Sequence, residues 1–440
     1  MWLAGGAVVP VSNVTRLSGP LGTLAATGAE VREADDRDVV AGVRATYVAA
    51  PATADEAAAV MRAADGHDMT VVARGGGTKL DWGIAPYRCD LILDTSRMRK
   101  VIEHAAGDLV VRAEAGCPLS DVTAALAGAD QRLALDAPIP GATVGGTLAT
   151  ATSGPLRLAF GTARDLLIGV TMVRADGVIA TSGGRVVKNV AGYDLGKLLT
   201  GSLGTLGIIV SATFRLHPVP SRRAYVRATV RDTDAAHAAT RAVLGGQAMP
   251  AAIEYDRPAR GAAGTLTVLL EGGADLPARA DDIAALLGAD PDTAQEVTID
   301  ERAPDGFGAY PVDVGPRGVT GTLLKLITPI ADMPYAIAAL DAAAEAAGLD
   351  PAVRGSSGVG VLYAGLPAGA RPDDTGAFLA ALRGALASRD GSAIVLRAEP
   401  GVRDVVGMWG PVAGLGLMRR IKDRFDPDHR LAPGRFAGGI

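Results

Sequence analysis

The sequence predicts an α+β protein with more than one domain, and three observations support this prediction. The chain has 440 residues, whereas a typical domain has about 100 to 200. Strand-like and helix-like hydrophobic patterns alternate along most of its length. The composition shifts after Pro218-Val219-Pro220, where glycine-rich motifs give way to regularly spaced strands and alanine-rich helices.

Composition and charge exclude several classes of protein. Hydrophobic residues make up 48% of the chain and charged residues 21%, which is typical of a globular protein and not of a disordered one. The net charge is −5, so the chain lacks the positive excess that binds a phosphate backbone. We therefore expect no nucleic-acid partner.

Cysteine usage and hydropathy indicate the compartment. Cys89 and Cys117 form no Cys-x-x-Cys pair, which argues against a disulfide scaffold, a cysteine-based zinc site and an iron–sulfur cluster held by this chain alone. The first ten residues lack a basic segment, and no run of 18 uncharged apolar residues occurs. We expect a cytoplasmic chain without direct membrane insertion, peripheral to a membrane only through partners.

Local patterns predict the elements of the N-terminal half. Residues 1–38 show no periodicity and are predicted to be an irregular lead-in. Thr53 and Glu56 form a capping box before a helix that ends near Asp65. The elements predicted next are strands over 70–74, 90–94 and 109–113, a helix over 118–127, a hairpin of 170–174 with 178–181, and a strand over 208–216.

The C-terminal half is predicted to contain two similar sets of strands and helices. The first set has strands over 225–230, 251–255 and 266–270, and helices over 234–244 and 277–287. The second set has strands over 323–327, 360–363 and 393–398, and helices over 333–347 and 375–388. This pattern predicts a duplicated α+β domain with one sheet covered by helices. The predicted domains are therefore 39–218 and 219–405, flanked by the lead-in 1–38 and a basic C-terminal segment 406–440.

Three glycine-rich loops are suited to binding a phosphate. Arg74-Gly75-Gly76-Gly77-Thr78 directly follows a strand, and consecutive glycines let backbone N–H groups approach an anion. A second loop runs from Asp136 to Thr147, and a third runs from Gly201 to Gly207. The alternative for the first loop is a plain tight turn.

The familiar nucleotide signatures fit these loops poorly. The glycines Gly201, Gly204 and Gly207 precede a strand, whereas the Rossmann fingerprint follows a strand and opens a helix. The stretch from Gly192 to Lys197 is one residue short of a P-loop, and Leu198 stands where a Ser or Thr is required. NAD binding by a Rossmann fold and nucleotide triphosphatase activity are therefore disfavoured.

Six motifs in order resemble the FAD-binding domain of the vanillyl-alcohol oxidase and p-cresol methylhydroxylase (PCMH-type) superfamily. They are Arg74–Thr78, Thr143–Gly146, Ser153-Gly154, Phe160–Asp165, Gly184–Asp194 and Gly201–Gly207. Within the superfamily the chain is most similar to the FAD-binding E subunit of bacterial glycolate oxidase, over 44–218 and again over 421–435. The resemblance implies a PCMH-type domain of two α/β subdomains and a ferredoxin-like, duplicated α+β cap or substrate domain.

The resemblance also implies non-covalently bound FAD and assigns its binding residues. The first two loops would hold the pyrophosphate, the stretch from Ser153 to Arg164 would follow the flavin, and the backbone at Gly207 would touch the adenine. The implied set is Arg74, Gly75, Gly76, Gly77, Thr78, Pro140, Gly141, Thr143, Val144, Gly145, Gly146, Ser153, Gly154, Gly161, Arg164, Gly207 and Ile208. A surface ion pair with Asp165 is the alternative for Arg164, and Cys117 is more typical of a small apolar residue than of a flavin attachment site.

A flavin enzyme that oxidises a 2-hydroxy acid needs a base for the hydroxyl proton and cations for the carboxylate. Histidine is the natural base, but no two of the five histidines lie at metal-ligand spacing, and none is singled out. They are His67, His104, His217, His237 and His429.

The metal-binding run of the superfamily's catalytic members has changed in this chain. The D subunit of glycolate oxidase and D-lactate dehydrogenases carry Gly-Asp-Gly-Asn-Leu-His with a further His before it, and they bind a divalent metal there. The similar stretch here places Val359, Val361 and Tyr363 at the Asp, Asn and His positions, and Ser356 near the earlier His. We therefore expect no metal site.

The remaining candidates for catalysis are Tyr363, Arg354 and Lys325; the alternative is a packed strand tyrosine and two exposed cations.

Three functions stay open. The first is an electron-relaying FAD subunit of a glycolate-oxidase-type complex, between a catalytic flavin subunit and an iron–sulfur subunit. The second is a self-sufficient FAD-dependent dehydrogenase or oxidase of a small hydroxy acid, and the third is a non-redox scaffold. The basic tail near Met418 would either dock on an acidic partner or form a solvated face.

Overall fold

The first part of the molecule is a small sheet with two helices. The computed structural model describes residues 19–184, 193–312 and 321–440. The first elements are α1 (Pro20–Ala25), β1 (Glu30–Glu33), β2 (Val39–Val40), β3 (Val43–Arg44), β4 (Tyr47–Ala50), α2 (Ala54–Asp65), β5 (Val71–Arg74) and β6 (Leu91–Asp94). The sheet has the order β1-β4-β6-β5. Strands β4, β6 and β5 are parallel, and β1 is antiparallel to β4.

The prediction of an irregular lead-in over 1–38 is wrong for its described part. Helix α1 and strand β1 lie within it, and β1 pairs with β4 so that Val31 faces Ala49. Only Val31 of β1 is buried, so the strand carries no alternating pattern from which it could be recognised. Residues 1–18 of this prediction lie outside the described residues.

Helix α2 begins as the sequence predicts. The Thr53 hydroxyl accepts a hydrogen bond from the Glu56 amide at 3.1 Å, which satisfies one of the free donors of the first turn. The Glu56 carboxylate reaches one residue further back and accepts from the Ala52 amide at 2.7 Å. The predicted apolar face, which includes Val60 and Met61, is fully buried against the sheet.

A five-stranded antiparallel sheet follows and completes the N-terminal region, which we define as residues 19–218. Its elements are β7 (Val101–Ala105), β8 (Val110–Glu114), α3 (Leu119–Leu126), β9 (Gln131–Arg132), α4 (Val144–Ala149), α5 (Arg157–Phe160), α6 (Ala163–Leu166), β10 (Leu167–Val173), β11 (Ile179–Gly183), α7 (Leu195–Leu199), β12 (Ile208–Arg215) and β13 (His217–Pro218). The strand order is β11-β10-β12-β8-β7. Residues 185–192 of the predicted motif 184–194 lie outside the described residues.

The C-terminal sheet has eight antiparallel strands. Its elements are β14 (Arg222–Val230), α8 (Thr233–Gly245), β15 (Ala252–Arg257), β16 (Gly264–Gly272), α9 (Leu276–Gly288), β17 (Ala294–Asp300), β18 (Thr322–Ile327), α10 (Met333–Ala346), β19 (Ala352–Ser356), β20 (Val361–Leu366), α11 (Pro372–Ala387) and β21 (Ser392–Arg397). The order is β17-β14-β16-β15-β19-β20-β18-β21. Each half is a βαββαβ unit, and the halves meet at their second strands, β15 and β19.

This topology confirms the predicted α+β class with a ferredoxin-like, duplicated second part. The sequence prediction missed one strand in each half, β17 and β19. Strand β17 is an edge strand whose residues are mostly exposed and polar, and β19 is short and contains Arg354 and Gly355. Neither strand has the apolar alternation that marks a half-buried strand. The domain boundaries at 38, 218 and 405 stay predictions.

The eight-stranded sheet presents one face to its helices and the other to the N-terminal region. Side chains such as Tyr255, Leu266 and Leu362 are buried under the helices. Because side chains alternate along a strand, neighbours such as Glu271 and Tyr363 lie on the opposite face. There the Arg132 guanidinium pairs with the Glu271 carboxylate.

The chain ends by returning to the first sheet. Helices α12 (Pro400–Val405) and α13 (Leu415–Phe425) are followed by a bridge between Leu431 and Val71 of β5. The Lys422 amine, fully buried, donates to the Asp426 carboxylate at 2.6 Å and to the backbone oxygens of Thr205 and Leu431 at 2.8 Å. No helix among the described residues is long and apolar enough to cross a bilayer.

Candidate FAD site and interdomain cluster

The first two predicted glycine loops pack directly against each other. A Cβ atom on Gly75 would overlap the Thr143 hydroxyl, and one on Gly76 would overlap the Gly141 carbonyl oxygen. The Thr143 hydroxyl caps α4 by accepting from the Gly146 amide at 3.3 Å. Glycine is therefore required at Gly75 and Gly76 because two backbone segments approach closely.

A small cavity of about 60 Å³ lies between these loops. Predicted cofactor residues line much of it, namely Gly75, Gly76, Gly77, Thr78, Thr143 and Gly146. Lys79 and Arg435 also line it, and the sequence analysis assigned neither of them. The sequence did hold a signal, because Lys79 directly follows the first loop and Arg435 ends the tail motif.

Lys79 and Arg435 are buried cations. Among the described residues neither forms a salt bridge, and both side chains are less than a tenth exposed. Burial lowers the pKa of Lys79 to about 8 and that of Arg435 to about 10. The Lys79 amine donates to the Thr78 hydroxyl at 3.4 Å, and Arg435 donates to the carbonyls of Leu80 and Trp82 at 2.8 and 2.6 Å. A buried cation without a carboxylate partner is costly, so this cavity favours an anion.

The other predicted cofactor residues are placed as follows. The Ser153 hydroxyl accepts from the Ala163 amide at 3.0 Å. Gly161 has a φ of +80° at the end of α5. Arg164 is exposed on α6, and Asp165 accepts from the Thr162 amide and hydroxyl. Gly207 and Ile208 are buried where β12 begins. Val144 is buried at the start of α4, whereas Pro140 is exposed in the second loop.

Asp136 holds the next segment in place. Its carboxylate accepts from the amides of Gly154 and Leu156 at 3.0 and 2.8 Å. A Cβ on Gly154 would overlap the Asp136 carbonyl oxygen. Burial raises the pKa of Asp136 to about 6. This contact fixes the start of α5 and with it the position of Arg157.

The three predicted catalytic candidates lie side by side across the eight-stranded sheet. Tyr363 on β20 is opposite Arg354 on β19 and opposite Lys325 on β18. The Arg354 guanidinium pairs with the Asp256 carboxylate at 2.6 Å and donates to the Gly306 carbonyl at 2.9 Å. The alternative of two exposed cations is wrong, since both Arg354 and Lys325 are partly buried. Burial, aided by Arg157, lowers the pKa of Lys325 to about 8.

Tyr363 also contacts the N-terminal region. Arg157 donates to the Tyr363 hydroxyl at 3.1 Å and to the Gly154 carbonyl at 3.0 Å. The rings of Tyr363 and Tyr310 meet edge to face with centroids 4.7 Å apart, and Tyr310 is 6.0 Å from Trp82. We call Trp82, Arg157, Tyr310, Lys325 and Tyr363 the interdomain cluster.

The interdomain cluster carries positive charge without a carboxylate of its own. Arg157 is buried, and within the described chain neither Arg157 nor Lys325 forms a salt bridge. Arg157, Tyr310 and Trp82 could not be recognised from the sequence, because they lie in loops and a short helix with no shared motif. The one signal was the position of Arg157 between two motifs that the resemblance had singled out.

The stretch that resembles the superfamily's metal-binding run forms the end of one strand, a turn and the next strand. Ser356 ends β19, a 3-10 turn covers Ser357–Val359, and Val361 and Tyr363 lie on β20. In residues 19–184, 193–312 and 321–440 no three or more His, Cys, Asp or Glu side chains group as they would around a metal ion.

Comparisons with known proteins identify the cofactor. Residues 45–183 match the family model described as FAD binding domain. FAD is the cofactor of this chain. The structure of p-cresol methylhydroxylase superimposes with a TM-score of 0.67 at 16% identity, covering 89% of each chain, which shows the PCMH-type fold.

The curated relatives include a FAD-linked oxidoreductase and subunits of glycolate oxidase. An uncharacterized FAD-linked oxidoreductase from Mycobacterium tuberculosis is 29% identical over 425 residues, covering 89% of this chain and 91% of the relative. Glycolate oxidase subunit GlcD of Bacillus subtilis is 32% identical over 48% of this chain and 45% of its own length. Subunit GlcE of Escherichia coli is 38% identical over 29% of this chain and 37% of its own length. The chain is a FAD-binding oxidoreductase, related to glycolate oxidase subunits and to D-lactate dehydrogenases.

The residues present fit this cofactor. The cavity between the glycine loops offers the buried cations Lys79 and Arg435 and a closely packed glycine backbone, which suits the diphosphate of FAD.

Proposed function

We propose that this chain, with FAD bound, oxidises a small 2-hydroxy acid in the interdomain cluster. The observation that carries the proposal is the buried Arg157, held by the Tyr363 hydroxyl at 3.1 Å beside Lys325 and without a carboxylate partner among the described residues. A substrate carboxylate would supply the missing negative charge. The chain would then be the self-sufficient dehydrogenase that the sequence analysis left open.

Each residue of the cluster has a separate task in this proposal. Arg157 binds the carboxylate, because the planar guanidinium presents paired N–H donors that match the two carboxylate oxygens. Its plane is fixed by Gly154 and Tyr363. Burial lowers the pKa of Lys325 to about 8, so part of its population is a neutral amine that accepts the substrate's hydroxyl proton. FAD, when bound, supplies the acceptor for the hydride from the substrate carbon.

The aromatic side chains limit what enters the cluster. Tyr310 and Tyr363 are both less than a tenth exposed and pack edge to face. In this proposal their rings would shield from water a small acid, such as glycolate or D-lactate, bound at Arg157. The proposed products are a 2-oxo acid, one proton taken by Lys325 and one hydride equivalent on the flavin.

An anaerobic visible spectrum of the purified chain tests this proposal. We expect the flavin band to bleach on addition of glycolate or D-lactate. The variant Arg157→Met should bleach far more slowly at the same flavin content. Arg231→Met is the matched control, since Arg231 is an exposed residue paired with Asp232. An unchanged spectrum of the wild-type chain with both acids would contradict the proposal.

The second candidate is an electron-relaying subunit of a glycolate-oxidase-type complex. It is favoured by the similarity to GlcE and by the replacement of the metal-binding run with Val359, Val361 and Tyr363. Its partners would be a catalytic flavin subunit and an iron–sulfur subunit. In that case hydroxy acids would leave the isolated flavin oxidised, and a reduced catalytic subunit would reduce it.

A further inference from the structure

Lys79 and Arg435 differ from the other groups that line the cavity between the glycine loops because each carries a full charge. The loops themselves supply backbone N–H dipoles, and Thr143 and Thr78 supply hydroxyls. Among the described residues, the Lys79 amine has one hydrogen-bond partner, the Thr78 hydroxyl at 3.4 Å. The amine also lies over the Trp82 ring, 5.9 Å from the ring centroid.

The segment that carries Lys79 is held in place by the C-terminal part of the chain. Arg435 donates to the carbonyls of Leu80 and Trp82 at 2.8 and 2.6 Å. Arg403 donates to the Asp81 carbonyl at 3.0 Å. These charged donors fix the backbone on the C-terminal side of Lys79, and the glycine loop fixes it on the other side.

The segment is also joined to the eight-stranded sheet. The Gly83 amide donates to the Leu396 carbonyl at 3.1 Å, and the Ile84 amide donates to the Arg435 carbonyl at 3.2 Å. The Asp81 carboxylate is paired with Arg397 of β21. Asp81 is therefore engaged elsewhere and does not neutralise Lys79.

We propose that Lys79 is the cation that neutralises the FAD diphosphate, and that Arg435 positions it by holding residues 80–82. The diphosphate is the one strongly anionic part of this cofactor, and the cavity that Lys79 lines is bounded by both glycine loops. Burying the charged amine without a carboxylate partner costs free energy. A bound phosphate removes this cost by pairing with the amine. This inference rests on FAD as the cofactor and not on any hydroxy acid as substrate.

Binding of two probes to the full-length chain freed of FAD tests the inference. ADP carries the diphosphate without the flavin, and riboflavin carries the flavin ring without phosphate. In Lys79→Gln, ADP affinity should fall about tenfold or more, because hydrogen bonds to charged groups are stronger than those between neutral groups. Riboflavin affinity should stay within about twofold. Lys100→Gln is the matched control, since Lys100 is an exposed lysine, and it should change neither affinity.

Three outcomes would overturn the inference. One is an ADP affinity in Lys79→Gln equal to that of Lys100→Gln. Another is an equal loss of ADP and riboflavin affinity, which would assign Lys79 to the structure of the loop. The third is a change in flavin midpoint potential without loss of ADP affinity, which would place Lys79 at the ring. If Lys79→Gln does not fold, Lys79→Met, which keeps the length of the side chain without its charge, decides by the same two affinities.

Discussion

The glycine loops and the interdomain cluster are both proposed to bind an anion, but the loops consist of closely packed backbone and the cluster of converging side chains. In the loops, backbone meets backbone, and Gly75 and Gly76 are small because Thr143 and Gly141 leave no room for a Cβ. In the cluster, long side chains from two parts of the fold converge, and Arg157 reaches Tyr363 across 206 positions of sequence.

The glycine loops therefore form a rigid site, whereas the interdomain cluster forms a selective one. A backbone site accepts any ligand that carries the right phosphate, because its donors are the same in every residue. A side-chain site selects by shape, charge and protonation, and here Lys325 and Arg157 provide two distinct cations. We therefore expect changes in the loops to remove the cofactor and changes in the cluster to alter turnover while the cofactor stays bound.

The largest effect is expected from Gly76→Ala. Its Cβ would overlap the Gly141 carbonyl oxygen, so the two loops must separate and the chain should purify without flavin. Flavin absorbance per protein measures this. Gly107→Ala is the control, because a Cβ there would meet nothing within 4 Å. Full flavin content in Gly76→Ala would show that the loops are not packed as described.

The next effect tests how the tail supports the loops. Lys422→Met removes one partner of the fully buried pair with Asp426 and should lower the free energy of unfolding by about 3–5 kcal/mol. Denaturant unfolding measures the loss. The double variant Lys422→Met, Asp426→Asn should recover part of it, because no unpaired charge stays buried. Equal losses in both variants would contradict a charge-based explanation.

Lys325→Met should leave flavin content unchanged and lower turnover by about a hundredfold, the lower end for a lost general base. The wild-type kcat/KM should rise with pH and level off above about 8, since the amine must be neutral to accept a proton and burial lowers the pKa of Lys325 to about 8. The variant should lose this dependence. A pH profile that survives in Lys325→Met would assign the base to another group.

The fold and the loops were largely predictable because their signals are local. Strands β5 and β6 and helix α2 carry clear periodicity, and the glycines of the first loop are consecutive in sequence. Two of the missed strands share a physical cause. Strands β1 and β17 are exposed edges whose hydrogen bonds with a neighbour, not their side chains, make them strands.

The cluster was only partly predictable because its geometry is set by tertiary contacts. Tyr363 and Lys325 could be singled out as residue types, but their opposition on neighbouring strands depends on the order of the sheet. Trp82 and Tyr310 come from separate segments that meet only in the fold. Predicting the position of Arg157 would have required knowing that the Asp136 carboxylate holds the start of α5 through two backbone amides.

The smallest effect, Tyr363→Phe, separates positioning from chemistry within the cluster. The variant removes the hydroxyl that accepts from Arg157 at 3.1 Å, while the Gly154 carbonyl still holds the guanidinium at 3.0 Å. We expect KM to rise about tenfold with kcat little changed, because a lost hydrogen bond to a charged group weakens binding. Tyr335→Phe is the control, since its hydroxyl bonds a remote carbonyl, that of Ala385. A large fall in kcat with unchanged KM would instead make the Tyr363 hydroxyl part of the proton transfer and would move Lys325 to carboxylate binding.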